Sequence, residues 1–288
     1  MAIHRIWLGC PVWGRKDWVG ELFCDGTPQT RFLSEYATVF NAVEGNTTFY
    51  GTPSPETVER WSEQTSESFR FCFKLPRTVT HDRQLSNARH ETEGFLARMA
   101  PLGQRLGPFM IQLPPHFSPR QLPILEDFLC ALPRSYRYAV EVRHPGFFAG
   151  AAADELDAVL VEQGVDRIML DTRGLHARGP IDASHAASQA KKPKLPLRVA
   201  VTSGVPLVRF VADPSEAAND VLLAEWAERL AGWLRDGLDP YMFMHAPSDF
   251  FAPRLARALL RKLSEHLDVG EMNVWPAEQG HDHQMDLF

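Results

Sequence analysis

The sequence predicts an α/β protein that folds as one TIM-type (β/α)8 barrel, and two observations support this prediction. Eight short apolar, β-prone segments alternate with segments whose apolar residues recur every three or four positions. Strands that alternate with helices in this way form parallel sheets with crossover helices. The length of 288 residues also suits a single barrel, since such domains typically contain about 250 residues.

The predicted strands are spread along most of the chain. They cover residues 6–9, 42–44, 69–74, 109–113, 138–142, 167–171, 207–211 and 241–245. Helix boundaries agree with them: Ser54 precedes Pro55, Ser118 precedes Pro119, and Gly164 follows a helical run. No GxGxxG motif follows the first strand, so a closed barrel is favoured over an open dinucleotide-binding sheet.

Two segments depart from the strand and helix repeat. Residues 172–206 are rich in Gly, Pro, Ser and Ala and contain a KKPK run, which indicates either a long loop over the barrel mouth or a disordered segment. Helical periodicity stops after Leu267. We therefore expect a barrel domain over residues 1–268 and a flexible tail over residues 269–288.

Composition limits the possible locations and partners. The formal charge of −6, from 30 basic and 36 acidic residues, argues against a protein that coats nucleic acid, so any nucleic-acid role must be local or tethered. The four cysteines form no CxxC pair, and no apolar run approaches the ~18 residues of a membrane span. We expect a cytoplasmic protein with free thiols and no membrane contact.

Polar residues fall where the predicted strands end, and strand ends carry the active sites of TIM barrels. The carboxylates there are Glu44, Glu141 and Asp171, which we take as catalytic candidates. The predicted substrate-binding residues are Asn46, Tyr50, Lys74, Gln112, Arg143, His144, Arg209 and His245. Glu141 and Arg143 are two residues apart, so they share one face of their strand.

These charged groups have two possible explanations, because an unpaired buried ion costs several kcal/mol. They can form a structural ion-pair network, or they can line a binding or catalytic pocket. We favour the pocket. Lys74, Arg143 and Arg209 would then hold a phosphate or carboxylate, and Glu44 or Glu141 would act as general acid or base.

A divalent metal is a further possibility at the strand ends. Carboxylates and histidines such as Asp171, His144 and His245 are suitable ligands, but Lys74, Arg143 and Arg209 compete for the same carboxylates. We assign no metal ligand and leave the cofactor open. The chain contains no HExxH or GxSxG motif, so zinc protease and hydrolase-elbow mechanisms have little support.

Several motifs resemble those of the YecE-like family, domain of unknown function 72. They are Gly9 with Trp13, VEGNTTFY at 43–50, FKLP at 73–76, QLPP at 112–115 and EVRH at 141–144. The resemblance implies a TIM-type barrel and no particular activity. Strands seven and eight depart from the family pattern, with VRFVA at 208–212 and MHA at 244–246, so the resemblance assigns no role to Arg209 or His245.

The last five residues resemble the pentapeptide by which bacterial replication and repair proteins bind the DNA sliding clamp. They are Gln284, Met285, Asp286, Leu287 and Phe288. Leu287 and Phe288 have no neighbouring core to join, so they can bury in a partner's groove while Gln284 makes hydrogen bonds. We expect the clamp as a partner; the alternatives are a tail that folds back on the barrel and a chance match.

Together these features favour a barrel that acts on or binds a phosphate-bearing or nucleic-acid-related ligand and is recruited to DNA during replication or repair. An enzyme is favoured, either nuclease-like or acting on sugar phosphates. Two alternatives stay open: a non-catalytic adaptor tied to the clamp, and a small-sugar isomerase or lyase. Fold analogy does not separate them.

Overall fold

The structure is a computed structural model that describes residues 5–270 and 272–279. Strands and helices alternate through these residues. The strands are β1 (Trp7–Gly9), β2 (Ala42–Gly45), β3 (Arg70–Phe73), β4 (Phe109–Gln112), β5 (Tyr138–Glu141), β6 (Asp166–Asp171), β7 (Leu207–Val211) and β8 (Tyr241–His245). The α-helices are α1 (Phe32–Val39), α2 (Pro55–Glu63), α3 (Arg89–Met99), α4 (Leu122–Cys130), α5 (Ala151–Gln163), α6 (Ala183–Lys191), α7 (Asp220–Arg235) and α8 (Ala252–Ser264).

The local signals in the sequence act as expected at the helix ends. The Ser54 hydroxyl accepts a hydrogen bond from the Thr57 amide at 3.3 Å at the start of α2. Ser118 and Gln121 form a capping box in the short 3-10 turn that leads into α4. Gly164 ends α5 in the left-handed conformation, with φ of 63°. All eight predicted strands are confirmed.

The strands are parallel and form two hydrogen-bonded sheets. Six strands follow the order β1-β8-β7-β6-β5-β4, and β2 pairs with β3. Backbone hydrogen bonds also connect the two sheets: for example, the Leu75 amide donates to the Met110 carbonyl at 3.0 Å, and the Glu44 amide donates to the Cys10 carbonyl at 3.1 Å. The predicted α/β class with parallel strands is confirmed, and the strands form one sheet of six and one of two.

Side chains on one face of the strands form a separate apolar cluster to which all eight strands contribute. Its members are Trp7, Ala42, Cys72, Met110, Ala139, Ile168, Val205, Leu207, Tyr241 and Phe243. Because side chains of a strand alternate between faces, the residue two positions further on points to the same side. Those residues include Glu44, Lys74, Gln112, Glu141 and Arg209, so a polar layer lies directly above the apolar cluster.

The opposite face of the strands packs on the helices. Val43, Ile111, Val140, Met169 and Val208 belong to the large core that also contains the buried residues of the helices. Strands buried on both faces need nearly continuous apolar sequences, which is why the strand segments were recognisable. The polar layer interrupts this pattern only at the carboxyl ends.

Residues 272–279, which the sequence places in the flexible tail, contact the body of the protein. The Trp275 side chain is 3% exposed, and the Arg257 guanidinium of α8 lies 3.6 Å from the centre of its ring. Glu278 forms an ion pair with the same arginine at 2.7 Å. The buried ring of Trp275 and the paired carboxylate of Glu278 therefore anchor residues 272–279 to the protein, although the sequence there has no helical periodicity.

Among residues 5–270 and 272–279, no helix combines the length and the apolar character needed to cross a bilayer.

Candidate functional site

Arg209 of β7 lies at the centre of the polar layer and bridges two carboxylates. Its Nε and Nη2 atoms donate to the two oxygens of Glu44, at 2.8 and 2.7 Å. Its Nη1 donates to Oε2 of Glu141 at 2.5 Å. The arginine is 3% exposed and both glutamates are fully buried. One guanidinium therefore joins strands β2, β5 and β7.

Three further side chains extend this ion-pair network. Lys74 Nζ lies 3.5 Å from Oε1 of Glu44, and Arg143 Nε donates to Oε1 of Glu141 at 2.6 Å. His245 Nε2 lies 3.0 Å from Oε2 of Glu44. Because an ionised carboxylate only accepts hydrogen bonds, the proton of a neutral His245 must be on Nε2.

The arginine keeps both carboxylates ionised. Burial alone raises the pKa of Glu44, but Arg209, His245 and Lys74 together outweigh it and hold the pKa well below its usual range. For Glu141, burial is likewise outweighed by Arg209 and Arg143, which lower its pKa to about 2. Neither glutamate carries a proton at neutral pH.

Lys74 and His245 respond to burial in the opposite way, because their charged forms are the protonated ones. Burial, reinforced by repulsion from Arg209, lowers the pKa of Lys74 to about 7, although Glu44 opposes this change. Burial also lowers the pKa of His245, against the attraction of Glu44. Lys74 is thus the member of this cluster poised to exchange a proton near neutral pH.

A cavity of about 590 Å³ opens above this layer. Six of the described residues that line it are basic, and Asp249 is the one carboxylate among them. The basic residues are Lys74, Arg77, Arg143, Lys191, Lys192 and Arg209. Glu44 and Glu141 lie beneath its surface, so basic side chains outnumber carboxylates in the lining, although the formal charge of the protein is −6.

Gln112, at the end of β4, also lines the cavity. The residue is 7% exposed, and its Oε1 atom is buried without a hydrogen-bond partner within the described residues. Such an atom normally costs about 1–3 kcal/mol unless something pairs with it. Gln112 therefore has hydrogen-bonding capacity to offer a ligand in this cavity.

The sequence analysis missed five polar residues that line the cavity: Arg77, His81, Lys191, Lys192 and Asp249. Arg77 and His81 follow the FKLP motif, around a π-helical turn over Thr78–Asp82. Turns of this kind often occur at functional sites. Burial, reinforced by Arg143 and Arg77, lowers the pKa of His81 to about 4, so this imidazole is neutral at pH 7.

The two remaining lysines belong to the irregular segment 172–206. That segment contains α6, which ends at Lys191, and the Arg143 guanidinium lies 3.5 Å from the Lys191 carbonyl. The KKPK run was the signal that could have assigned these residues to the site. The structure places the first two residues of this run in the lining of the cavity.

Asn46 and Tyr50 stand at the rim of the cavity. Asn46 is anchored by a hydrogen bond from its Nδ2 atom to the Pro11 carbonyl at 2.8 Å. Tyr50 is 84% exposed and contacts the edge of Phe49, whose ring lies 4.9 Å from that of His81. These rings form a free aromatic surface beside the basic residues.

Two predicted site residues are not brought to the cluster. Asp171 accepts hydrogen bonds from the Trp226 indole of α7 at 2.8 Å and from Arg173, so its carboxylate points to the helices. Ile168 faces the apolar cluster, and Asp171 is three residues away, on the opposite face. His144 accepts a hydrogen bond from the Gly146 amide at 3.0 Å and caps a 3-10 turn.

The donor set does not favour a metal. No group of three or more His, Cys, Asp or Glu side chains is arranged around a possible metal position in the described residues. The buried carboxylates Glu44 and Glu141 are already engaged by Arg209. The pentapeptide at residues 284–288 lies outside the described residues.

Fold and site together define an α/β protein with a basic cavity at the carboxyl ends of its parallel strands. The chain belongs to the family described as protein of unknown function DUF72, whose profile matches residues 7–279. It is 40% identical over 275 residues to the UPF0759 protein YecE of Escherichia coli, covering 95% of this chain and 98% of that protein.

Two solved structures of DUF72 family proteins share the fold. One from Enterococcus faecalis has a TM-score of 0.68 and 20% identity, covering 91% of this chain and 98% of that chain. One from Thermotoga maritima has a TM-score of 0.65 and 22% identity, covering 91% of this chain and all of the other, at 100%. At these identities the likeness concerns the fold alone.

Proposed function

We propose that the cavity above the polar layer binds a small phosphate-bearing ligand and that the protein is an enzyme acting on it. One observation carries this proposal: six basic side chains line the cavity, against one carboxylate among the described lining residues. A lining of this composition raises the local concentration of anions even when the whole protein is acidic. The cavity of about 590 Å³ has the size of small-molecule sites.

The basic residues differ in how many of their hydrogen-bond donors are already engaged within the protein. Arg209 donates to both Glu44 and Glu141, so its positive charge is largely compensated. Arg143 spends Nε on Glu141, and Lys192 donates only to the Ser188 hydroxyl at 3.2 Å within the described residues. We assign the phosphate to the Arg143 and Lys192 side of the cavity, where donors and positive charge remain.

The proton-transfer roles differ from those expected from the sequence. Glu44 and Glu141 were candidates for general acid or base, but carboxylates whose pKa is held this low are poor at either task. We assign them instead to holding Arg209 and Lys74 in place. Lys74, with a pKa of about 7, is the group we assign to proton exchange near neutral pH, whereas His81, with a pKa of about 4, stays neutral there.

We further infer that the two sheets close into a complete TIM-type barrel. Side chains from all eight strands meet in one apolar cluster. Backbone hydrogen bonds lie at both junctions, including Gly107 to the Phe71 carbonyl at 2.9 Å. Closure would make the polar layer the upper part of a filled barrel interior, the usual position of an active site in this fold.

The ligand proposal is tested by titrating the purified full chain with inorganic phosphate and with phosphorylated and unphosphorylated three-carbon sugars, using calorimetry. We expect binding of the phosphorylated compounds and phosphate. Arg143→Met and Lys192→Met should each weaken it about 10-fold, since a charge-assisted hydrogen bond contributes about 1.5–3 kcal/mol.

Lys262→Met is the matched control, because this lysine pairs with Asp220 at 2.6 Å away from the cavity. Its phosphate affinity should equal that of the wild type. Equal losses in all three variants, or no binding of any phosphorylated compound, would overturn the proposal. Tight binding of single-stranded oligonucleotides without binding of small phosphates would redirect it to a nucleic-acid ligand.

We also propose, from the sequence of residues 284–288 alone, that the chain binds a bacterial DNA sliding clamp. The test is a pull-down of purified clamp by the full chain and by a variant lacking Gln284 to Phe288. We expect the deletion to abolish capture, and Leu287→Ala with Phe288→Ala to do the same, while Met285→Ala retains it. Capture that survives the deletion contradicts this assignment and leaves the ligand proposal untouched.

A further inference from the structure

We propose that Lys74 is a nucleophile that forms an imine with the carbonyl group of its substrate. The inference deepens the proposed function and rests on it in one respect: the substrate class becomes a small aldehyde or ketone that carries a phosphate. Lys74 supplies the covalent attachment, and the basic side of the cavity holds the phosphate.

The backbone fixes Lys74 firmly at the end of β3. Its amide donates to the Gly45 carbonyl at 3.3 Å, and its carbonyl accepts from the Thr48 hydroxyl at 2.8 Å. The residue is 7% exposed and lines the floor of the cavity. The backbone therefore fixes the base of this side chain beside the cavity in which we place the bound carbonyl group.

The surroundings of the amine favour its neutral form, which is the one that attacks carbonyl carbons. With a pKa of about 7, roughly half of the Lys74 amine is unprotonated at pH 7. An ordinary lysine with a pKa of ~10.4 is unprotonated in only about one molecule in 2,500 at that pH. The difference is about 10³-fold, and it arises from burial and from Arg209.

Glu44 keeps this amine in place. Its Oε1 lies 3.5 Å from Nζ, and the same oxygen accepts from Arg209 at 2.7 Å. The carboxylate is therefore shared, so it attracts the lysine without holding it as a dedicated ion pair. An amine that points at a shared carboxylate and borders an open cavity is available for reaction.

The reaction balances without an added oxidant or reductant. The lone pair of Nζ forms a bond to the carbonyl carbon, and the carbonyl π electrons move to its oxygen. That oxygen takes up the two protons that leave nitrogen and departs as water, while the nitrogen lone pair forms the C=N bond. The products are one imine and one water molecule.

Gln112 is placed to contact the reacting group directly. Lys74 is in register with Met110 of β4, so Gln112 is the next residue along that strand on the same face. Its buried, unpartnered Oε1 can accept a hydrogen bond from the hydroxyl of the tetrahedral intermediate. This assignment accounts for a polar atom that the folded chain leaves unsatisfied.

The test traps the imine by reduction. The full chain is incubated with dihydroxyacetone phosphate or glycolaldehyde phosphate and sodium cyanoborohydride at pH 7, and the modified lysines are located by peptide mass spectrometry. We expect labelling of Lys74 at least about 10-fold above the exposed Lys16, given the ~10³-fold difference in neutral amine. Labelling of Lys74 should rise between pH 5 and 8 and level off above it.

Lys74→Arg retains the positive charge but cannot form the imine, so it should lose the label while still binding inorganic phosphate. Lys191 and Lys192 are internal controls, because they line the same cavity. Labelling of either in preference to Lys74, or uniform labelling of exposed lysines, overturns the inference. Since the wild-type peptide map is decisive by itself, poor folding of the variant does not affect the test.

The two proposals fail separately. Phosphate binding without any adduct at Lys74 rejects the imine and keeps the ligand site. If unphosphorylated dihydroxyacetone labels Lys74 to the same extent as dihydroxyacetone phosphate does, Lys74 is a nucleophile but the phosphate site is rejected.

Discussion

Arg209 is the residue on which the polar layer depends, because it neutralises two fully buried carboxylates. Arg209→Met should lower the free energy of unfolding by about 3–5 kcal/mol, as removal of one partner leaves uncompensated buried charge. The loss should be larger at pH 8 than at pH 5. Without Arg209, burial raises the pKa values of Glu44 and Glu141, so that at pH 5 they bind protons in the folded state and lose their unfavourable charge. Urea denaturation at both pH values measures this.

Arg89→Met is the matched control for that change. Arg89 pairs with Glu93 on the surface of α3, with most of its side chain in solvent, and such pairs contribute little. We expect no measurable change in its urea midpoint. If the two variants lose the same stability, the network centred on Arg209 does not have the importance assigned to it.

Lys74 should give the protein a characteristic pH dependence of stability. Its pKa is about 7 in the folded state and ~10.4 when unfolded, so unfolding takes up a proton between these values. The contribution of Lys74 to the free energy of unfolding therefore rises from pH 7 to pH 10. Lys74→Met should lack this rise.

The measurement is the difference between wild type and variant at pH 7, 8.5 and 10, since buried thiols and phenols also titrate near the upper limit. Lys262→Met serves as the control and should follow the wild type. A wild-type minus Lys74→Met difference that stays constant across this range would show that the lysine is not perturbed as described.

At the scale of elements, strand β1 approaches β2 so closely that only glycine fits at position 9. A Cβ atom there would lie 2.0 Å from the Ala42 carbonyl oxygen and 2.9 Å from the Tyr36 hydroxyl. Gly9→Ala should therefore reduce the free energy of unfolding by about 1–3 kcal/mol. Thermal denaturation, with circular dichroism as the probe, measures the loss.

Gly14 is the comparison, because a Cβ added there meets no atom within 4 Å. Gly14→Ala should leave stability unchanged or raise it by about 0.4–1 kcal/mol, through the lower entropy of the unfolded chain. Should Gly9→Ala behave like Gly14→Ala, the contact between β1 and β2 must be looser than the structure indicates.

The strands and helices were largely predictable from the sequence. Which face of its strand each polar side chain occupies was predictable for only some of the residues. Strands buried on two sides have continuous apolar sequences that stand out from the helical periodicity. Asp171 is a residue whose direction the sequence did not reveal. Side chains alternate along the strand, so Asp171 faces the helices if Ile168 faces the apolar cluster, but only the structure shows that Ile168 does so.

At the scale of the whole molecule, closure of the barrel predicts a pattern of amide hydrogen exchange. The amides of Leu75 and Gly107, which donate across the β3 and β4 junction, should exchange as slowly as that of Val208 within the six-stranded sheet. Protection of this kind reflects cooperative opening of the whole fold. Exchange of these junction amides at the rate of exposed loops would indicate an open sheet.

The sequence by itself determined the number and order of the strands and helices, the membership of the family and most of the polar residues of the cavity. It could do so because secondary structure and family motifs are local patterns. Only the tertiary structure decided which charges meet: that Arg209 joins Glu44 to Glu141, that Asp171 turns to Trp226, and that Lys191 and Lys192 reach the cavity. Those contacts join residues far apart in the chain, and pKa values such as that of Lys74 depend on burial and charge in space.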